Sequence, residues 1–180
     1  MDILEHPRPE SVEQLAREVF TDLHQTIIFH ESGSLDANVE SVHDMRVAVR
    51  RLRVALSNFA VCVSKEDRKR LRSRLENLAD ALGGVRDMDV MIAALKALPP
   101  TRSDQEKSAS SALIGRLRAR RRSRLRTLMN YLGGEEYAGF KRESPSDWIK
   151  MNGAYRSSES YESHSESPHA FPKEEHGQAA

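Results

Sequence analysis

The stretch Val42-His-Asp-Met-Arg-Val-Ala-Val-Arg-Arg-Leu-Arg-Val-Ala-Leu-Ser-Asn-Phe59 constrains this chain more than any other. Met45, Val49, Leu52, Leu56 and Phe59 recur at spacings of three and four, the period of a helix that buries one face. At about 100° per residue, His43, Arg46, Arg50 and Arg53 fall within about 80° of one another on an adjoining face. A histidine and three arginines therefore line about 15 Å of helix beside a core-facing surface. A row of like charge repels itself and is stabilised best by an anion laid along it. A snorkelling flank of an ordinary amphipathic helix has the same look, so the strip needs support from elsewhere in the chain.

The charge distribution gives that support. The net charge of +1 conceals a segregation: residues 1–40 carry a net −7, residues 41–132 carry 21 basic and 9 acidic side chains, and residues 133–180 carry a net −4. An anionic partner for the middle segment is expected, with acidic ends that screen it or compete for it. The single cysteine, Cys62, excludes an intrachain disulfide and a cysteine metal cluster. No secretory leader pattern opens the sequence and no window of about 18 apolar residues interrupts it, so a cytoplasmic protein off the membrane is expected.

Helical signals flank the basic stretch. Ser11-Val-Glu-Gln14 has the form of a capping box, and apolar positions from Val12 to Ile28 keep helical spacing until Ser32-Gly-Ser34. His24 and His30 read as surface or structural, since no ligand pair accompanies them at metal-site spacing. The second helix starts within residues 37–42 and ends near Val61. A third starts after Ser64 and carries an apolar seam from Leu71 to Ile92, stopping before Pro99-Pro100. Gly83-Gly84 interrupt that seam, each costing about 1 kcal/mol relative to alanine, a feature that often permits close approach of a neighbour. Just beyond, Arg86 lies at the seam's edge, where Asp87 and Asp89 can orient it or its neighbours.

The fourth helix starts within residues 102–108 and runs to Leu132, with Leu113, Leu117, Leu125, Leu128 and Leu132 as its stripe. Seven arginines occupy positions 116–126. Arg121 and Arg124 fall on the side of the leucines, where a cation must meet an acid or an anion. Residues 143–180 are rich in Ser, Glu, His, Gly and Pro without apolar period, and a disordered tail is expected there, with Trp148 and Ile149 able to dock locally. The sum is an all-α, antiparallel four-helix bundle over residues 8–142 followed by that tail.

Two motifs then make a family resemblance specific. Val42-His-Asp-Met-Arg-Val-Ala-Val-Arg-Arg-Leu-Arg53, followed by Leu78-Ala-Asp-Ala-Leu-Gly-Gly-Val-Arg-Asp-Met-Asp-Val90 on the next helix, resembles the conserved histidine α-helical domain, the CHAD family. The resemblance implies a helical domain that binds inorganic polyphosphate in a basic groove, in some members at polyphosphate granules or beside a polyphosphate-metabolising enzyme. Carried over by motif position, the binding candidates are His43, Arg46, Arg50, Arg51, Arg53 and Arg86. Arg51 rests on the motif, since it lies off the helical strip; Arg121 and Arg124 are added by the inward-pointing argument. The usual domain resembles two four-helix bundles, each with its own basic helix, whereas this chain carries one, so a half-length member is expected, with a homodimer as the way to rebuild the groove.

The physics suits that ligand. A long polyanion meets many cations at once and gains affinity largely through counterion release, and the arginine fork can bond two phosphate oxygens. A histidine in the strip would make anion binding stronger as pH falls. Nucleic acid is the alternative, disfavoured because few aromatics accompany the basic helices for base stacking. An enzyme using His43 is the third reading; no nucleophile–base–orienter set, Gly-rich phosphate loop or acidic metal cluster supports it. No catalytic residue, metal or cofactor is expected.

Overall fold

Four side chains set where the long helices begin. In the computed structural model, which describes residues 11–99 and 103–149, Ser11 Oγ accepts the Gln14 amide ahead of α1 (Val12–Phe29). Asn38 caps α3 (Val39–Asn58) by accepting the Glu40 and Ser41 amides. Ser64 caps α4 (Lys65–Lys96) through the Asp67 amide. Ser103 and Glu106 form a reciprocal capping box before α5 (Asp104–Leu132). Each satisfies amides that the first turn leaves without partners, worth about 1 kcal/mol apiece.

Three smaller elements complete the chain: α2 (Glu31–Leu35), α6 (Glu135–Arg142) and a 3-10 helix over Pro145–Trp148. Gly33 lets α2 sit against α3, since a Cβ there would lie 2.1 Å from Ser41 Oγ. All described secondary structure is helical apart from one isolated antiparallel bridge, Val63 to Ile149.

Successive long helices are antiparallel neighbours. The pairs Arg46–Asp87 and Arg53–Glu76 run in opposite order along α3 and α4, and Arg121–Asp89 and Tyr131–Arg74 do the same for α5 and α4. The core combines Phe20, Leu23 and Ile27 of α1, Met45, Val49 and Leu52 of α3, and Leu71, Leu75, Leu78 and Leu82 of α4. From α5 only Leu128 and Leu132 are fully buried. The expected stripe on that helix therefore enters the core only at its C-terminal end. The reason is length: α4 and α5 span about 48 and 43 Å at 1.5 Å per residue, against about 30 Å for α3. Val90, Met91, Leu98 and Leu113, toward the joined ends of these two helices, are exposed.

The packed unit also extends beyond residue 142, where the sequence pattern placed the boundary. Trp148 and Ile149 are buried, and a chain of ring contacts runs from Phe59 through Phe20, Trp148, Phe140 and Tyr137 to Tyr131. These rings join α3, α1, the 3-10 helix, α6 and α5. From residue 150 onward the expected disordered tail lies outside the described residues.

Glu143 holds this segment in place. It accepts from Arg70 Nη1 at 2.5 Å, from Arg74, and from Trp148 Nε1 at 2.9 Å. Burial alone would raise its carboxyl, but the hydrogen bonds from Arg74, Trp148 and Arg70 outweigh burial and hold it below its ordinary value of 4.5. His24 is buried and donates Nε2–H to the Phe140 carbonyl at 2.9 Å; burial dominates and lowers its pKa from 6.5. The sign is the same for both groups. The folded state holds fewer protons than the unfolded state, so stability is complete above about pH 6.5 and falls as the pH drops through the histidine and then the carboxyl range. The Glu143→Gln variant is expected to show a lower melting temperature at pH 7 and a shallower loss below pH 4.5 than the native chain; parallel melting-temperature profiles would refute the assignment.

Candidate functional site

The motif helix is α3, and its register separates the candidate cations by flank. Arg46 and Arg53 lean toward α4, where Arg46 Nη1 meets Asp87 Oδ1 at 3.4 Å and Arg53 Nη2 meets Glu76 Oε1 at 3.2 Å. These side chains are about half exposed, with Arg46 at 44% and Asp87 at 59%. Surface pairs of this kind contribute about 0–1 kcal/mol, so an incoming polyanion can exchange for either carboxylate at little cost. Arg50 and Arg51 are exposed and border an open groove of about 550 Å³ between α1 and α3, which also contains Asp22, Val47 and Val54. His43 and Arg86 are half-buried, and neither has a hydrogen bond or ion pair among the described residues.

Gly83 and Gly84 explain how cations of two helices reach one turn of α4. A Cβ on Gly83 would lie 3.9 Å from the Arg46 guanidinium carbon, and a Cβ on Gly84 would lie 3.1 Å from Arg124 Cδ. The missing side chains let Arg46 of α3 and Arg124 of α5 lie over α4 from its two sides. The exposed Arg124 also borders a shallow pocket with Asn77, Asp80 and Tyr131.

Arg121 is a different case. Its Nε and Nη2 grip both carboxylate oxygens of Asp89, at 2.5 and 3.3 Å, and Nη2 also donates to the Ala37 carbonyl at 3.1 Å. Arg121 and Asp89 are only 17% and 8% exposed. The inward-pointing cation has thus met a protein acid, and through Ala37, at φ 62, it ties α5 to the turn before α3. An anion would have to displace a buried bidentate partner to use it. Removing it by Arg121→Ala leaves Asp89 buried and uncompensated, and denaturant unfolding is expected to show a loss of about 2–3 kcal/mol; a loss below about 0.5 kcal/mol would contradict a structural clamp.

The sequence pattern left one basic group unread. Lys65, Arg68, Lys69 and Arg72 recur at i, i+3, i+4 and i+7 and line one pocket where α4 begins. That spacing was the available signal. Among the described residues, no group of three or more His, Cys, Asp or Glu side chains could hold a metal ion, and no helix is long and apolar enough to cross a membrane.

Comparison with known proteins adds one match. A family model described as the CHAD domain covers residues 18–173. No curated protein and no solved structure matches the chain.

Proposed function

Because the chain belongs to the CHAD domain family, a family associated with polyphosphate binding, we propose that it binds inorganic polyphosphate without chemical turnover along the outer face of α3. Arg46, Arg50, Arg51 and Arg53 supply the contacts, His43 and Arg86 adjoin them, and Arg124 extends the cationic surface across α4. Arg121 holds the scaffold that presents them. The observation that carries this reading is the state of the α3 arginines: exposed or half-exposed and, among the described residues, either without an ion pair or held only by surface carboxylates. On this reading the module acts in the cytoplasm, at polyphosphate granules or beside a polyphosphate-metabolising enzyme. A second copy would rebuild a two-bundle groove, and the exposed Val90, Met91, Leu98 and Leu113 are apolar residues such a copy could cover.

Calorimetric titration with long-chain polyphosphate, repeated against an equal charge concentration of single-stranded RNA, tests the ligand class. Polyphosphate is expected to bind more tightly and to displace RNA at fixed salt. Preference for RNA would move the assignment to the nucleic-acid alternative. Phosphate released from polyphosphate by the purified chain would return the enzyme reading with His43. Light scattering on the same sample gives the mass, and a monomer in the bound state would remove the second copy.

A further inference from the structure

The first turns of α4 carry basic side chains on two faces, and the protein treats the two differently. On one face Arg70 and Arg74 converge on Glu143, and Arg70 also meets Asp67. On the other, Lys65, Arg68, Lys69 and Arg72 line a pocket of about 380 Å³ against the C-terminal end of α3, with Leu56 and Ser57 on its wall and no acid among its lining residues. Arg72 Nη2 is steadied by Ser57 Oγ at 3.1 Å. Arg68 Nε is buried, with no hydrogen-bond partner among the described residues. Lys65 and Lys69 have no ion pair among the described residues.

Such an arrangement is unfavourable as it stands. Cations at i, i+3, i+4 and i+7 repel one another. They also sit in the opening turns of a helix, the end whose dipole favours negative charge. One occupant relieves both: a compact, multiply charged oxyanion that accepts from Arg72 and neutralises the cations around it.

We infer that this pocket, at the junction of α3 and α4, is a second anion site, taking a phosphate group. It lies apart from the motif cations and has its own partners, so it stands or falls separately from the proposed α3 surface. A short phosphate compound fills it by itself, and a long chain bound on α3 would reach it with its end.

Sodium tripolyphosphate, titrated calorimetrically into the full chain at low salt, is the probe. Saturable binding is expected, weakened about tenfold or more by Lys69→Ala/Arg72→Ala. Arg118→Ala/Arg122→Ala removes the same charge from exposed positions on α5, and is expected to stay within about twofold of the native chain. Circular dichroism on each variant checks the fold. No binding by the folded native chain, or equal weakening by the two double variants, would overturn the pocket. Inorganic phosphate bound as tightly as tripolyphosphate identifies free phosphate as the occupant, and tighter tripolyphosphate identifies a chain end; both outcomes support the site. Long-chain polyphosphate that binds while tripolyphosphate does not overturns the pocket and leaves the α3 surface standing. The reverse result sinks the α3 surface and leaves the pocket.

Discussion

Replacing Arg46, Arg50 and Arg53 together by alanine is expected to weaken binding of long-chain polyphosphate by two to three orders of magnitude at low salt. Each arginine supplies a charge-assisted contact worth about 1.5 kcal/mol or somewhat less, and about 1.4 kcal/mol is a factor of ten. The surface pairs with Asp87 and Glu76 offset part of this, because binding must first disengage them, but at about 0–1 kcal/mol each they do not cancel it. The variant also leaves Asp87 and Glu76 as unneutralised carboxylates beside the bound chain, which adds repulsion. The salt dependence is the sharper readout. With about 0.7 of a counterion released per contact, as for a single-stranded polyanion, the logarithmic slope should fall by about 2. Stability should change by less than about 1 kcal/mol, since all three side chains lie toward solvent. An unchanged slope in a folded variant would show that the polyanion does not lie along α3.

Truncating Trp148 is expected to have the largest effect on stability. The side chain is 1% exposed, and its ring lies 6.1 Å from Phe20, 6.0 Å from Phe140 and 5.5 Å from His24. Trp148→Ala removes the central member of the aromatic chain that joins α1 to α6, and costs of about 3–5 kcal/mol are usual for such a deletion. It also takes away the indole donor to Glu143, loosening the carboxylate that gathers Arg70 and Arg74. Trp148→Phe keeps most of the ring packing and loses the hydrogen bond, so it should recover more than half of the loss. Denaturant unfolding followed by circular dichroism measures both variants. In the native chain Trp148 is the one tryptophan, so its fluorescence reports this junction directly. A loss below about 1 kcal/mol for Trp148→Ala would show that the segment after Arg142 is an adornment rather than part of the core.

Much of the helical framework was legible because its signals are local. Ser11, Ser64 and the apolar spacing place α1 and α4 within a few residues, and Pro99-Pro100 places the stop of α4. The paired glycines at 83 and 84 mark a point of close approach in the sequence, and the structure supplies the neighbours, Arg46 and Arg124. What escaped was everything without a repeating pattern. Neither α2, α6 nor the 3-10 helix is long enough to show a period; Trp148 and Ile149 are legible as residues able to dock, but among serines, glutamates and prolines their full burial is not. The pocket lined by Lys65, Arg68, Lys69 and Arg72 has a periodic signal, but spacing alone does not distinguish it from a solvated basic face.

Sequence alone determined that this chain is all-helical, that its basic charge gathers between two acidic ends, and that α3 presents His43 and the motif arginines beside a buried face. These follow from period, composition and covalent order, which need no partner helix. Tertiary structure decided which of those cations stay available. Arg121 and Arg124 fall on the same side of a helical wheel, yet Arg121 is clamped by a buried Asp89 while Arg124 crosses an open glycine to solvent. Arg70 and Arg72 are two residues apart, yet one is held by Glu143 and the other faces an acid-free pocket. A side chain's charge is written in the sequence; whether that charge is already answered depends on which acid the packing brings within about 4 Å, and that is a property of the assembled helices.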